Sequence, residues 1–141
     1  MATTTAQITL QSDLLSDELS VVAETTLMKG GTTADGLDQL DYGYIDIATG
    51  DEFDLLDAND SGLNTNKANK VYIANHSTDE TFYVTVAIDG AANIGRLYAG
   101  DWMFIPWGAV DQHDDIELQA FGGTNTICYA LFHEGRTLVS S

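Results

Sequence analysis

Alternation of apolar and polar residues along the chain predicts short β-strands rather than helices. The clearest case is residues 81–88, where every second residue from Phe82 to Ile88 is large and apolar. Gly, Asp, Asn and Ser cluster between such stretches and predict turns. The same pattern predicts strands at residues 8–11, 19–27, 42–47, 70–75, 94–98, 102–107, 116–120 and 127–132. Residues 53–57 fit either a strand or one helical turn.

About eight to ten short strands at a spacing of about 8–12 residues predict an all-β protein. The expected fold class is an antiparallel β-sandwich, jelly-roll-like, with a small barrel as the alternative. The 141 residues fit a single β-sandwich domain spanning 1–141. Residues 1–7 are small and polar, and they are predicted to form either an N-terminal contact arm or an edge strand.

The densest aromatic stretch runs from Gly95 to Gly108 and contains both tryptophans and the single proline. It predicts two strands joined by a tight turn at residues 99–101, because Gly100 tolerates a positive φ and Asp101 can bond its own backbone. Ile105 and one tryptophan are expected in the core. Aromatic residues, Met and Arg are enriched at protein interfaces, so the remainder predicts a subunit contact. The candidate subunit-contact residues are Arg96, Tyr98, Trp102, Met103, Phe104 and Trp107. Burial of them all in the core is the competing interpretation.

The net charge of −17, from 22 acids against five bases, argues against direct binding of nucleic acid or anionic membranes. It favours solubility, or dense display on a large assembly where repulsion prevents clumping. The N-terminus lacks the basic and apolar regions of a signal peptide, and no apolar run is long enough to span a membrane. Cys128 is the only cysteine, so we expect no intrachain disulfide and a small buried hydrophobe in a protein made in the cytoplasm.

Two motifs suggest metal sites but are incomplete. The Gly100-Asp101 turn leading to Pro106 and Gly108 is similar to the second motif of the cupins, a family of metal-binding β-barrels. Asp111 stands where a ligand histidine is expected, His113 is two residues late, and a three-histidine centre would also need His76 and His133. Residues 57–62 partly imitate a calcium loop, but Ala68 occupies the position of the bidentate glutamate.

Catalytic chemistry is equally unsupported by pattern. Acid/base roles for Asp111, Asp114, Asp115 and Glu117 would require two carboxylates held in a cleft, whereas an acidic turn is usually solvated. His133 ends a predicted strand, which favours a structural role. The chain has no nucleophile elbow, phosphate loop or dinucleotide fingerprint. We therefore predict a non-enzymatic protein with no catalytic residue, metal or cofactor.

Four segments carry a resemblance to known proteins: 2–5, 25–38, 70–79 and, most distinctively, Ile94 to Trp107. In these segments the chain resembles a family of small virion structural proteins of tailed bacteriophages, particularly those of marine and cyanobacterial hosts. The resemblance implies a capsid decoration (cement) protein, made in the host cytoplasm and bound to the outer capsid surface of the virion. Its implied partners are the major capsid protein and further copies of itself, as a trimer or dimer. The alternative is a tail- or fibre-associated module that binds carbohydrate or a receptor.

Overall fold

A computed structural model describes residues 4–14, 19–32, 34–50, 52–58, 68–89, 93–108 and 114–134. Within these ranges the regular structure consists of β-strands paired antiparallel, which confirms the all-β prediction. The strands are β1 (Thr5–Ser12), β2 (Leu19–Thr26), β3 (Gln39–Ile47), β4 (Phe53–Leu56), β5 (Lys70–Asn75), β6 (Tyr83–Ile88), β7 (Asn93–Tyr98), β8 (Trp102–Pro106), β9 (Ile116–Phe121) and β10 (Asn125–His133).

Eight of these strands form two four-stranded sheets. Sheet 1 has the order β3-β10-β5-β8, and sheet 2 has the order β4-β9-β6-β7. Strand β10 lies inside sheet 1, where Ile127 is opposite both Ile45 of β3 and Asn75 of β5. Sheet 2 contains register shifts in β4 and at the end of β6, which mark β-bulges. This arrangement is consistent with a β-sandwich.

One hydrophobic core joins the two sheets. Sheet 1 contributes Val71, Ile73 and Ile127, and sheet 2 contributes Val84 and Ile116, all with no solvent exposure. Because neighbouring residues of a strand point to opposite faces, the residues between these core positions must face outward. The alternation that predicts the strands therefore also assigns an inner and an outer face to each sheet.

The first two strands stand apart from the sandwich as a hairpin, which we call the arm (Thr5–Thr26). Its strands pair with each other over their whole length, from Thr5 opposite Thr26 to Ser12 opposite Leu19. Most of its described side chains are exposed. The sequence predicted either a contact arm or an edge strand at residues 1–7, and β1 begins within this segment, at Thr5. Residues 1–3 lie outside the described part.

The base of the arm is fixed to the sandwich by backbone hydrogen bonds and one buried carboxylate. Leu27 and Leu37 are both 3% exposed, and the Leu37 amide donates to the Leu27 carbonyl. The Glu134 side chain, 7% exposed at the end of β10, accepts from the amides of Gly30 and Ala68 at 3.1 Å each. A carboxylate shared between two amides holds the chain below the arm in one place.

Candidate functional site

The outer face of sheet 1 is unusually apolar, and we call it the aromatic face. On β3 it exposes Leu40, Tyr42 and Tyr44, which are 57–60% accessible. At the opposite edge of the sheet, Trp102 is 49% exposed. The complete face consists of Leu40, Tyr42, Tyr44, Tyr72, Ala74, Trp102, Phe104, Pro106, Cys128, Ala130 and Phe132. Its small residues, including Cys128, are buried among the larger neighbours.

Charge is nearly excluded from the aromatic face. Lys70 and Asp46 lie at its two ends, because they pair in register with Phe132 and Thr126 at opposite ends of β10. A hydrogen bond with Tyr42 and another with Cys128 raise the pKa of Tyr44 from its ordinary 10.0 to about 12. In a chain of net charge −17, this is a large surface whose only acidic residue is Asp46 at one end.

A shallow depression lies beside Trp102 at the edge of the aromatic face. Its volume is about 320 Å³, and the Tyr72 and Trp102 rings lie 6.3 Å apart, tilted by 38°. Polar groups complete the rim, namely Asn75, His76 and Ser77. The exposed indole and the exposed His76 imidazole can contact a flat ligand, whereas the Asn75 amide is buried and bonded within the chain.

The outer face of sheet 2 carries a second group of aromatic residues, and their side chains interact with one another and with Arg96. Tyr83 stacks on Phe121 with ring centroids 5.0 Å apart, and the Arg96 guanidinium lies 4.5 Å from the Tyr83 centroid. Arg96 Nη1 also donates to the Tyr98 hydroxyl at 3.2 Å, and this bond raises the pKa of Arg96. Cation–π and hydrogen-bond contacts thus fix the arginine within its own chain.

The six candidate contact residues divide among three environments. Arg96 and Tyr98 lie on the outer face of sheet 2, whereas Trp102 and Phe104 lie on the outer face of sheet 1. The remaining two face inward. The structure therefore does not bring the six residues together on one surface.

Met103 and Trp107 face the core of the chain rather than its surface. Met103 packs against the core, because strand alternation directs it opposite to Trp102 and Phe104. Trp107 is 3% exposed, and its Nε1–H donates to the Asp114 carbonyl at 2.7 Å. The sequence predicted that one of the two tryptophans lies in the core, and the structure shows that it is Trp107. Ile105 also packs against the core, as expected.

The exposed apolar residues of β3 were missed at the sequence level. Leu40, Tyr42 and Tyr44 alternate with Asp41 and Gly43, a pattern that normally places the apolar residues inward. Here Ile45 and Ile47 occupy the inner face instead. One feature of the sequence could have indicated this arrangement. Three bulky residues precede Ile45 at alternate positions that place them on the opposite face of the strand from Ile45.

The motifs for metal and acid/base chemistry find little support in the described residues. Among them, no group of three or more His, Cys, Asp or Glu side chains is placed to hold a metal ion. His76 is exposed, and His133 is buried with Nε2 3.0 Å from Asp41 Oδ2. Asp111, His113 and residues 59–62 of the calcium-like loop lie outside the described part.

A cleft and two carboxyls of raised pKa, Asp115 and Glu117, lie near the acidic segments, and burial is the main cause of both shifts. The cleft has a volume of about 680 Å³ at the β3 and β4 edges and is bordered by Asp41, His133 and Trp107. Glu117 lies elsewhere, on the outer face of sheet 2. Desolvation, a hydrogen bond with Glu52 and the nearby charges of Asp54 and Asp89 raise its pKa to about 7.

The fold places this chain among all-β proteins with a β-sandwich-like core. Comparison with protein-family models, characterised proteins and solved structures finds no match. Over the described residues, no helix has the length and apolar character needed to cross a membrane.

Proposed function

We propose that the protein is a structural component of a bacteriophage particle, acting as a capsid decoration protein. It binds the outer capsid surface and stabilises the shell by bridging neighbouring copies of the major capsid protein. The protein is homo-oligomeric, and the strands at the sheet edges supply contacts with the shell because their backbone groups lack neighbours within the sheet. In this role it performs no catalysis and needs no cofactor.

The observation that carries this proposal is the distribution of apolar surface. An acidic protein of net charge −17 exposes an almost uncharged aromatic face and, separately, an arm with apolar side chains. Large exposed apolar patches mark interaction surfaces in soluble proteins. Surfaces placed at two parts of one small molecule suit a component that joins several neighbours, and weak contacts become strong when several are tethered together.

The strand order supports the finer proposal of a jelly roll. Strands that follow one another along the chain lie in different sheets in each of the pairs β3/β4, β5/β6, β7/β8 and β9/β10. Eight strands divided in this way between two four-stranded sheets are expected of two intertwined Greek keys. Jelly rolls are common in virus particles, which adds weight to a role in a virion.

Capsid binding tests the proposal directly. Purified protein is mixed with expanded capsids that lack it, and bound protein is measured after sedimentation. We expect saturable binding, copies in a fixed ratio to the capsid subunits, and greater resistance of the particles to heat. Absence of binding, together with equal stability of particles with and without the protein, would disprove it.

The exposed Trp102 favours a second candidate, a carbohydrate- or receptor-binding module at a tail or fibre. The indole is 49% exposed beside a depression rimmed by Asn75, His76 and Ser77. Because Trp107 is buried, saccharides that stack on Trp102 should change the fluorescence emission of Trp102 but not that of Trp107. A glycan titration of wild type and Trp102→Ala, with Phe104→Ala as the control, tests this function. An unchanged emission across a glycan panel argues against it.

A further inference from the structure

The two faces of the arm differ in polarity, although the more polar face also exposes Val22, which lies opposite Thr9. Directly opposed residues of an antiparallel pair share a face, so Ile8 lies with Ala23 and Leu10 lies with Val21. Gln7 and Glu24 face the other way. Ile8, Leu10 and Val21 are 37–48% exposed. We call the surface formed by Ala6, Ile8, Leu10, Val21 and Ala23 the apolar face of the arm.

An isolated two-stranded hairpin is only marginally stable in water, and stability requires packing of its apolar side. The arm does not obtain this packing from its own sandwich, because its apolar side chains remain exposed in the folded chain. Leu14, at the end of the arm farthest from the base, is 90% exposed. The base of the arm is held in place by the contacts described above. Its apolar face still needs a partner to pack against.

We propose that the arm of one chain docks, apolar face down, on the aromatic face of a second copy. Each chain then donates one arm and receives one, so both unpartnered surfaces are covered by the same contact. A reciprocal dimer or a closed ring of three uses every arm once. This proposal concerns self-association in solution and is independent of whether the protein binds a capsid.

Charge selects a second copy as the occupant. Two molecules of net charge −17 repel each other, and they can approach closely only where acidic groups are missing. The apolar face of the arm carries no charge, and the aromatic face carries only Lys70 and Asp46 at its ends. These surfaces are therefore compatible with each other in a self-association that the rest of the molecule opposes.

The dimensions also agree. Eight-residue strands are about 26 Å long, and two paired strands are about 10 Å wide, so the four-stranded face accommodates the hairpin. With two contacts per pair of chains, the four covered surfaces total on the order of 1,000 Å² in projection, which is at the lower limit for a specific interface. Tyr42, Tyr44 and Trp102 supply the aromatic anchors that dominate the energy of such contacts.

The first test compares two lysine substitutions one position apart. Leu10→Lys changes the apolar face of the arm, and Thr9→Lys makes a similar charge change on its other face. Mass is measured by light scattering and analytical ultracentrifugation over a range of concentrations. We expect wild type and Thr9→Lys to be oligomeric and Leu10→Lys to associate about 100-fold more weakly. Unchanged circular dichroism and thermal unfolding of the sandwich show that the variant is folded.

The second test identifies which surfaces meet. Tyr42→Lys disables the aromatic face, and Thr85→Lys, on the outer face of sheet 2, is its control. Leu10→Lys retains a functional aromatic face, and Tyr42→Lys retains a functional arm. Each variant alone should be monomeric, but a mixture should form a one-to-one heterodimer through the single intact contact.

Three outcomes would overturn the proposal. These are a monomeric wild-type protein at concentrations of about 100 μM, equal association of Leu10→Lys and Thr9→Lys, or failure of the mixture to form a heterodimer. The last result would indicate contacts of arm with arm or face with face. Capsid binding is measured separately, so a failed self-association test leaves the decoration proposal open to its own experiment.

Discussion

Two buried amides, Asn75 and Asn125, join strand ends from both sheets. Asn75 Nδ2 donates to the Leu97 carbonyl and to Asn125 Oδ1, both at 2.9 Å. Asn75 Oδ1 accepts from the Ser77 amide, and Asn125 Nδ2 donates to the Gly123 carbonyl. Both side chains are at most 1% exposed, so each lost bond leaves a buried polar atom unsatisfied.

Substitution Asn75→Ala is expected to reduce the free energy of unfolding by about 2–4 kcal/mol, because three buried bonds are lost at once. Asn93→Ala, at an exposed position of β7, should change it by less than about 0.5 kcal/mol. Urea denaturation measures both. A loss below about 1 kcal/mol for Asn75→Ala would show that water or other groups replace the amide.

Glu117 predicts a pH dependence of stability. Its pKa is raised from 4.5 to about 7 in the folded state, chiefly by desolvation, so the folded protein disfavours the ionised form. The penalty is absent below the unfolded pKa of about 4.5, develops as the pH rises, and is complete above about 7. Stability attributable to Glu117 therefore falls as the pH rises through this window.

Removal of the charge should reverse this effect. At about pH 8, Glu117→Gln is expected to unfold with a free energy about 1–2 kcal/mol higher than wild type, after allowance for solvent screening. At about pH 4 the two proteins should be equal. Glu80→Gln, in an exposed turn, serves as the control at both values. Equal stabilisation at both pH values would exclude ionisation as the cause.

At the scale of elements, the β7–β8 turn connects the two sheets. Gly100 has φ = 91°, its amide donates to the Asn75 carbonyl, and Asp101 Oδ2 accepts from the Tyr98 amide. The turn predicted at residues 99–101 is present. It links β7 of sheet 2 to β8 of sheet 1 and is held against the end of β5.

Gly100→Ala should destabilise the protein by about 1–2 kcal/mol, because an L side chain is strained at positive φ even though the space there is open. Gly95→Ala is the matched control, since it also meets no atom within 4 Å and lacks the left-handed backbone. It should be neutral or slightly stabilising. Equal effects of the two substitutions on thermal unfolding would contradict the conformational explanation.

Strands with strict alternation were predictable, and so were the two strands of the arm, which correspond to the strands predicted at residues 8–11 and 19–27. The bounds of β5, β6, β9 and β10 agree closely with those predicted from the sequence. In these strands, contacts within the chain itself determine which face is inner and which is outer. The strand at Phe53–Leu56 was ambiguous, since its two adjacent leucines fit either period. The pairing of these two strands into a hairpin separate from the sandwich was not predicted, because the apolar side of the hairpin covers nothing within its own sandwich.

The same reason explains the mixed outcome for the candidate contacts. Sequence identifies Trp102 and Trp107 equally as large aromatic groups, but the phase of β8 places Trp102 outside and Trp107 inside. Tyr42 and Tyr44 were overlooked because alternation alone does not state which side is the core. A partner surface resembles a core in composition, so composition cannot separate them.

At the scale of the whole molecule, the charge of −17 opposes compact folding. Added salt screens this repulsion, so the urea midpoint is expected to rise as NaCl increases from about 10 mM to about 0.3 M. A variant combining Asp13→Asn, Glu24→Gln and Glu80→Gln, all at exposed positions, should depend less on salt. A salt response identical in the two proteins would assign the effect to general solvent exclusion.

The position of β10 constrains how the protein can fold during its synthesis. This strand pairs with β3 on one side and β5 on the other, so sheet 1 has a gap at its centre until residues 125–133 emerge from the ribosome. Strand β3 must therefore wait, unpaired in its sheet, before this long-range contact can form. The net charge of −17 opposes the pairing of such waiting strands between two copies of the chain.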